Sequence, residues 1–320
     1  MQQRSFSGSA RAFVKQNGSF VMFLLICLIA SLFIPRFASL SNFALVIKQA
    51  AIPIIGCLGM TCVLMTGGID LSLGYMIGLS SITAGLLIKT HEWNVFAAIA
   101  VTLAIGALVG AVNGLCVQKL HVPAFITTLG SGYFLLGVAQ IISNGASINR
   151  LPQHFLVLGK TKLPGNLNTT VLISLAFCAG FYYLLHLSTF GRKLSAFGLS
   201  APASRLSGIP TGRINMTAYV ISAVLASVCG ILLSIDVNCA QPTMGGGDYT
   251  FTVITGCVLG GVSLYGGVGS VPGVIFGMLT LKTINNCINL MNAPYYLSSA
   301  IQGIVILLDI ILENVKNRKL

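Results

Sequence analysis

The scarcity of charged residues is the most informative feature of this sequence. Only 8% of its 320 residues are Asp, Glu, Lys or Arg, and six of the residues are acidic. A soluble domain carries about a quarter charged residues, because its surface must face water. With 55% apolar residues and a mean hydropathy of +0.90, this chain has no such surface to offer. Lipid must therefore surround most of it, and a single transmembrane domain accounts for residues 1–320.

Sequence patterns typical of enzymes and metal proteins are missing as well. The nine cysteines include no C-x-x-C pair, so we interpret them as small buried side chains rather than disulfide, metal or redox groups. The four histidines do not form an H-E-x-x-H pattern, and the G-x-x-x-x-G-K-[ST] phosphate loop is absent. We therefore expect no catalytic residue, metal or cofactor in this chain. Any ATP must be hydrolysed by another protein.

The apolar runs are long enough to cross a membrane several times. A transmembrane helix needs about 20 mostly apolar residues to cross about 30 Å of hydrocarbon. On that criterion the sequence predicts an all-α transmembrane helix bundle of about ten spans, with nine or eleven as alternatives. The predicted spans are 19–35, 43–66, 71–88, 95–117, 123–143, 169–188, 214–235, 250–267, 271–291 and 296–313.

The basic residues predict how these spans are oriented. The net charge of +12 comes from Lys and Arg in short breaks between apolar runs, which is typical of topology signals rather than of a nucleic-acid-binding patch. With the N-terminal segment 1–18 in the cytoplasm, eleven of the 18 Lys and Arg residues are cytoplasmic. Both termini are then cytoplasmic, residues 144–168 form an external loop, and residues 189–213 form a basic cytoplasmic loop. A soluble partner could bind either loop.

A glycine pattern occurs twice, in the fourth and the ninth predicted span. Small residues at every fourth position let helix backbones approach closely in lipid. The copies are 163 residues, or five spans, apart, and because five is odd the two halves would be inverted, as in many transporters. In a chain with 36 glycines such a pattern also arises by chance. The two copies are Gly106, Gly110 and Gly114, and Gly269, Gly273 and Gly277.

The string M-T-G-G-I-D-L-S-L-G from Met65 to Gly74 places a carboxylate in apolar surroundings. Burying a carboxylate in a membrane is costly, and Asp70 could offset this cost by capping the N-terminus of the third span. A direct contact of Asp70 or Ser72 with a transported substrate is the alternative. The predicted position near the cytoplasmic end favours a helix break or gate.

Polar side chains in the last two spans are further candidates for a substrate pathway. The ninth span contains Asn285, Asn286 and Asn289, and the tenth contains Gln302. Asn286 and Asn289 are three residues apart and are predicted to share a helix face. Amide side chains suit a hydroxyl-rich substrate because they both donate and accept hydrogen bonds. Interhelical hydrogen bonding is an equally weighted alternative. Lys282 must face protein, water or an interface, and the sequence does not decide between them.

Four ordered motifs make the chain similar to a known family. They are T-G-G-I-D-L-S-x-G from Thr66, A-x-R-L-S-G-I from Ala203, A-Q-P-T from Ala240, and L-G-G-V-S-L-x-G-G-x-G-S-V-x-G from Leu259. From about residue 20 to the C-terminus, the chain resembles the inner-membrane permease subunits of ribose-type ABC importers, within the branched-chain amino acid/ribose permease superfamily.

This resemblance implies a function and a set of partners. It implies a bacterial inner-membrane permease that forms the translocation pathway for a ribose-type monosaccharide, with 144–168 as a periplasmic loop. The implied partners are a second permease subunit, identical or related, a cytoplasmic ABC ATPase dimer that uses ATP, and a periplasmic sugar-binding protein. From the residues alone, an ion-coupled secondary transporter of a small polar solute is the alternative. The coupling helix that rests on the ATPase would be formed by Ala203, Ser204, Arg205, Leu206, Ser207, Gly208 and Ile209.

Two departures from the family pattern leave the particular sugar open. Leu199-Ser-Ala-Pro202 stands where the family usually has a Gly-x-Asn-like turn before the coupling segment. Thr250 and Thr252 stand where acidic residues are usual, with Asp248 just upstream. These changes could mark one member of a heterodimeric pair.

Overall fold

The polypeptide folds into a bundle of helices. The computed structural model describes residues 17–294 and 296–317, with the backbone alone for residues 309, 310 and 312–317. The prediction for segment 1–18 therefore falls almost entirely outside the described residues. Within them, thirteen helices alternate with turns and two small two-stranded sheets. The predicted all-α class is confirmed.

The helices and strands have the following bounds. The helices are α1 (Gly18–Phe33), α2 (Leu40–Leu64), α3 (Leu73–Gly85), α4 (Val95–Lys119), α5 (Ala124–Ser143), α6 (Gln153–Lys160), α7 (Thr169–Tyr182), α8 (Thr189–Leu199), α9 (Ala201–Leu206), α10 (Thr211–Val237), α11 (Gly246–Leu259), α12 (Val271–Leu290) and α13 (Tyr296–Asn317). Single π-helical turns extend α3 over Leu86–Thr90 and α7 over Tyr183–Leu187. The strands are β1 (Ile148–Asn149), β2 (Lys162–Leu163), β3 (Leu167–Asn168) and β4 (Cys239–Ala240), and the antiparallel pairs are β1 with β4 and β2 with β3.

Seven helices in the described part of the chain are long and apolar enough to cross a membrane. They are α2, α3 and α7 with their π-helical turns, α4, α5, α10 and α12, and they coincide with seven of the predicted spans. The other three predicted spans correspond to the shorter apolar helix α1, to α11, and to the apolar part of α13, Tyr296–Leu308. The total of ten spans and the cytoplasmic position of both termini stay predictions.

Helix α11 is shorter than the predicted eighth span, 250–267. Its 14 residues end at Leu259, because Gly261, Gly266 and Gly267 adopt positive φ angles of 79°, 97° and 80°. Glycine adopts a positive φ at little cost, but a residue with a positive φ cannot continue an α-helix. At about 1.5 Å per residue, α11 extends about 21 Å, which is less than the hydrocarbon thickness. A glycine-rich loop, Gly260–Ser270, follows it.

Helices α2, α3 and α10 form the centre of the bundle. The apolar windows of α2 and α3 are each 72% buried, whereas those of α4 and α5 are 22% buried. Helix α10 packs against α2, α3 and α4. Its approach to α4 depends on glycine, because a Cβ atom on Gly110 would lie 2.5 Å from the carbonyl oxygen of Tyr219. Such close backbone contact is a common way for helices to associate in lipid.

The two ends of the bundle carry different connections. At one end, called the α8 end, α8 and α9 occupy the predicted loop 189–213, and α8 lies beside the glycine-rich loop Gly260–Ser270. At the other, called the α6 end, the predicted loop 144–168 contains α6 and three short strands. The β1–β4 pair joins this loop to the segment after α10.

Helices α3 and α11 both begin inside the bundle rather than at its ends. The backbone N–H of Gly74 donates to the hydroxyl of Thr250 at 2.9 Å, and a Cβ atom on Gly74 would lie 1.8 Å from the carbonyl oxygen of Gly246. Asp70, just before α3, contacts Ser222, which lies eleven residues into α10 and hence about 16 Å from its start. The N-termini of α3 and α11 therefore meet near the middle of the bundle.

Candidate functional site

The six side chains predicted for the substrate pathway lie in three separate places. Asp70 and Ser72, in the segment that joins α2 to α3, belong to a buried polar cluster. Asn286 forms an interhelical amide pair. Asn285, Asn289 and Gln302 line a polar cavity between α11, α12 and α13.

Asp70 is buried, with 1% of its surface exposed, and both carboxylate oxygens accept hydrogen bonds. One oxygen accepts the backbone N–H of Ser72 at 3.0 Å and the Ser72 hydroxyl, and the other accepts the Ser222 hydroxyl at 2.7 Å. The Nδ2 atom of Asn113 in α4 donates to the Ser72 oxygen at 3.0 Å. These four residues, the Asp70 cluster, connect the start of α3 to α4 and α10. Donors from within the protein thereby offset the cost of burying the carboxylate.

The position of Asp70 refines the capping interpretation. Helix α3 begins at Leu73, with Ser72 at the cap position, and Ser72 makes no side-chain cap hydrogen bond. Asp70 accepts the amide of Ser72 itself, so it organises the turn before the helix rather than the first helical turn. A pathway or gate role for Asp70 and Ser72 stays a prediction.

Asn286 in α12 pairs with Asn42 in α2 through both halves of its amide. Asn42 Nδ2 donates to Asn286 Oδ1 at 3.0 Å, and Asn286 Nδ2 donates to Asn42 Oδ1 at 2.9 Å. Asn42 also donates to the carbonyl oxygen of Phe37 at 3.0 Å. Both asparagines are buried, and this arrangement is the interhelical alternative that the sequence left open.

Asn286 and Asn289 have different neighbours, although the sequence predicts that they share a helix face. Asn289 lines the cavity together with Asn285, four residues before it, whereas Asn286 points to α2. Three residues cover about 300° of helix rotation and leave Asn286 and Asn289 about 60° apart, whereas the four residues from Asn285 to Asn289 cover about 400° and return to within about 40° of the same direction.

The cavity, called the α11–α13 cavity, has a volume of about 700 Å³. The Thr252 hydroxyl donates to Gln302 Oε1 at 3.3 Å, and the Ser298 hydroxyl donates to Asn285 Oδ1 at 2.9 Å. Phe251, Gly303, Ile306 and Leu307 supply its apolar walls. Its polar lining consists of Asp248 and Thr252 from α11, Asn285 and Asn289 from α12, and Ser298, Ser299 and Gln302 from α13.

The predicted coupling segment forms helix α9 and the turn after it. Ser204 is buried, whereas Leu206 is 92% exposed. Gly208 has a φ of 75°, and the N–H of Ile209 donates to the Ser204 carbonyl oxygen at 3.0 Å, which ends the helix. Arg205 Nε donates to the Thr211 hydroxyl at 3.2 Å and ties α9 to α10. Ala203 and Ser207 are exposed with Leu206, and their role on a partner surface stays a prediction.

Helix α8 contacts two loops at the α8 end of the bundle, the loop between α2 and α3 and the glycine-rich loop between α11 and α12. The Ser195 hydroxyl donates to the Gly267 carbonyl oxygen, and the Gly267 N–H donates to the Met65 carbonyl oxygen at 2.9 Å. A Cβ atom on Gly198 would lie 1.9 Å from that Met65 oxygen. We call these four residues the α8 junction. They join residues 189–213, which are predicted to form a cytoplasmic loop, to the loops that precede α3 and α12.

Sequence reasoning missed several polar partners at these sites. Asn113 and Ser222 are polar residues in predicted spans, which is the same signal that singled out Asn285 and Gln302, whereas Asn42 lies one residue before the second predicted span. Ser298 follows the start of α13 and completes the cavity lining. Lys282 is half-buried in α12 and does not line the cavity.

Comparisons with known proteins agree with these observations. A family model described as the permease component of branched-chain amino acid transport systems matches residues 42–309. The ribose import permease protein of Escherichia coli (strain K12) is 34% identical to this chain over 310 residues, which is 96% of each chain. The L-arabinose transport system permease protein of the same strain is 33% identical over 95% of this chain and 92% of its own length. The galactose/methyl galactoside import permease protein of that strain is 29% identical over 95% of each chain. No solved structure matches. The chain belongs to the family of branched-chain amino acid transport system permease components.

Proposed function

We propose that this chain is the permease subunit of an ATP-binding cassette importer and forms the translocation pathway for a monosaccharide across the bacterial inner membrane. The observation that carries this proposal is the similarity over almost the whole length to permeases named for ribose, L-arabinose and galactose. The seven long apolar helices and the polar cavity among the helices are consistent with it.

The proposed topology has ten spans, with the α8 end and both termini in the cytoplasm. Its support is the excess of Lys and Arg on that side, because basic residues are enriched in cytoplasmic loops. The short helices α1 and α11 would then cross with the help of the neighbouring segments, since irregular backbone at membrane depth is tolerated where protein buries it.

An inverted repeat would relate the two halves of this topology, with α2 corresponding to α10, α3 to α11, α4 to α12 and α5 to α13. The helix contacts support this correspondence. Helix α4 packs on α10 as α12 packs on α2, and α3 contacts α5 as α11 contacts α13. The starts of α3 and α11, which meet inside the bundle, are equivalent in this scheme. Transporter binding sites are often built from such interrupted helices at the repeat interface.

The α8 junction is the proposed mechanical link to an ATPase dimer. Leu206 on α9 projects almost completely into solvent and would insert into a groove of the ATPase. Helix α8, which directly precedes α9, is fixed to Met65 and Gly267 and hence to the loops before α3 and α12. A displacement of α8 and α9 would therefore move the starts of α3 and α12. This movement would open the pathway to one side of the membrane and close it to the other. ATP would bind only to the partner subunit, and this chain would need no cofactor.

The remaining partners would be a second permease subunit, identical or related, and a periplasmic sugar-binding protein. The binding protein would dock at the α6 end. There Arg150, Lys160 and Lys162 are exposed and could pair with acidic side chains on its surface. The external protein would select the sugar, so the permease itself needs no tight site.

The test is uptake by proteoliposomes that contain this chain, the ATPase and the binding protein. Ribose, L-arabinose and D-galactose serve as probes. We expect accumulation of at least one sugar that requires ATP, the ATPase and the binding protein together. Accumulation by vesicles that contain this chain alone, driven by a proton or sodium gradient, would instead establish the ion-coupled secondary transporter.

A matched pair of variants tests the proposed coupling surface. Leu206→Asp should abolish ATP-driven uptake, because a carboxylate cannot enter an apolar groove of the ATPase. Leu120→Asp makes the same change in an exposed leucine (65% exposed) of the α4–α5 turn, outside α8 and α9, and should leave uptake within about twofold of wild type. Equal losses in both variants would contradict a specific coupling role for α9.

A further inference from the structure

The α11–α13 cavity has the chemistry of a ligand site rather than of a lipid-facing groove. Exposed apolar side chains such as Ile304 and Leu308 surround it on α13, as expected for a surface that contacts lipid. Its own lining presents a carboxylate, three amides and three hydroxyl groups. Polar groups of this kind are costly in hydrocarbon, so they face water, protein or a polar solute.

Several hydrogen-bonding groups of the lining have no partner within the described part of the chain. The carboxylate of Asp248 and the amide of Asn289 are both exposed, and no hydrogen bond to either side chain occurs among the described residues. Asn285 and Gln302 each use their oxygen to accept a hydroxyl, which leaves both NH2 groups to donate elsewhere. The cavity therefore offers donors and acceptors together.

The charge and size of the cavity indicate a neutral, polyhydroxylated small molecule as its ligand. Among the described lining residues there is no Lys, Arg or His, which disfavours phosphates and carboxylates as ligands. One carboxylate beside several amides and hydroxyls suits the alternating donors and acceptors of a neutral polyhydroxylated molecule. The volume of about 700 Å³ lies in the usual range of small-molecule sites.

The cavity is placed where an intermediate binding site on a translocation pathway between the two ends of the bundle could lie. It lies between the first turns of α11 and α13 and the last turns of α12, so in the proposed topology it belongs to the outer half of the membrane. Its α11 side adjoins the meeting point of α3 and α11. There the Tyr75 hydroxyl lies within 3.6 Å of the Cβ position of Gly247, next to Asp248. The ring centroids of Tyr75 and Tyr133 are 5.5 Å apart. Beside Gly247, this pair therefore adds a surface that is apolar on the ring faces and polar at the hydroxyls.

We propose that the α11–α13 cavity is a monosaccharide-binding subsite of the permease, in which Asp248, Asn285, Asn289 and Gln302 hydrogen-bond the sugar hydroxyls. This inference rests on the proposed function and assigns the sugar contacts within it. The subsite is weak and transient, since a pathway must release its cargo. It receives the sugar in the outer half, before the starts of α3 and α11 separate.

Labelling of the variant Asn289→Cys tests the subsite without any ATPase. The purified chain in lipid nanodiscs is treated with a hydrophilic maleimide, and modification is located by mass spectrometry. We expect Cys at position 289 to react and 100 mM ribose, L-arabinose or D-galactose to slow the reaction at least threefold, with equimolar proline as the non-sugar control. The native thiols Cys57, Cys229 and Cys257 are buried and serve as internal controls that should stay unmodified.

Two results of this measurement would overturn the subsite. An unreactive Cys at position 289 would mean that lipid or a second copy of the chain fills the cavity. A reactive Cys that none of the three sugars protects would mean that the cavity is wet but does not bind them.

Uptake by the reconstituted importer provides the second readout. Asn285→Ala and Gln302→Ala each remove one donor and should lower the uptake rate about three- to tenfold per folded transporter, the cost of a typical hydrogen bond. Ile304→Ala on α13 is the matched control, because its side chain is 56% exposed and does not line the cavity. Unchanged uptake in both cavity variants would contradict the proposal.

The failure of the subsite and that of the importer function are distinguishable. A wild-type complex that takes up none of the sugars with ATP overturns the importer function, while sugar protection of position 289 would still support the subsite. Normal ATP-driven uptake without protection and without an effect of the variants overturns the subsite and leaves the importer function intact.

Discussion

The Asp70 cluster and the α11–α13 cavity each lie beside the start of a helix that begins inside the bundle, α3 and α11 respectively, yet they differ in how their polar groups are satisfied. In the Asp70 cluster, the amide and hydroxyl of Ser72 and the hydroxyl of Ser222 donate to the two oxygens of one carboxylate, Asn113 donates to the Ser72 oxygen, and the site is closed. In the cavity, the carboxylate of Asp248 is exposed and the helices leave about 700 Å³ between them. Polar residues in apolar helices therefore occur in two settings here, in closed contacts that fix helices and in an open cavity, which we propose as a sugar subsite.

Removing the carboxylate of the closed cluster should have the largest effect on stability. Asp70→Ala leaves the Ser72 amide and the Ser222 hydroxyl without acceptors in a buried site, and we expect a loss of about 3 kcal/mol in unfolding free energy. Asp70→Asn keeps one oxygen acceptor and should cost about half as much. Unfolding in mixed micelles measures both. A stable Asp70→Ala protein would mean that the cluster does not hold α3 to α10.

The amide pair of Asn42 and Asn286 should be the next most sensitive feature. Asn286→Ala leaves the buried Oδ1 of Asn42 without its donor, while Asn42 Nδ2 keeps its bond to the Phe37 carbonyl oxygen, and it should lower the unfolding free energy by about 1–2 kcal/mol. The double variant Asn42→Ala/Asn286→Ala removes both partners, so its loss should be about 1 kcal/mol smaller than the sum of the single losses. Strict additivity in this cycle would contradict a direct interaction between the two side chains.

A substitution in the open cavity should have the smallest effect on stability. Asn289 is exposed, and no described residue is its hydrogen-bond partner, so Asn289→Ala should change the unfolding free energy by less than about 0.5 kcal/mol. The same micelle unfolding measurement compares it directly with Asn286→Ala. If Asn289→Ala were as destabilising as Asn286→Ala, the distinction between a closed and an open site would be lost.

The sequence predicted the helix class and the long spans because length and apolar composition decide them. It could not predict where α11 ends, since an apolar run with glycines is compatible with both a helix and a loop until the φ angles are known. It singled out Asn285, Asn286 and Asn289 as polar residues in a span but placed Asn286 and Asn289 on one face, whereas the structure gives these two side chains different neighbours. The direction of each side chain depends on α2 and α13, and composition carries no information about which helix packs on which side.

The same limit applies to Asp70 and to the coupling segment. An isolated carboxylate in an apolar string indicates a costly burial, but two members of its cluster, Asn113 and Ser222, lie 43 and 152 residues further along the chain. The sequence motif identified the coupling segment. Its connection to the loops before α3 and α12 depends on the tertiary contacts of Ser195 and Gly198, which the motif does not contain.

The most direct measurement is the sidedness of the α8 end. A cysteine is placed at position 206 in α9 or, for comparison, at position 157, where Val157 in α6 is 51% exposed. Sealed right-side-out spheroplasts are treated with a membrane-impermeant maleimide, and the modified peptides are identified by mass spectrometry. The account predicts labelling of position 157 in intact spheroplasts and of position 206 only after the membrane is opened. Labelling of position 206 from the outside would contradict it, because an ATPase in the cytoplasm could then not reach α9.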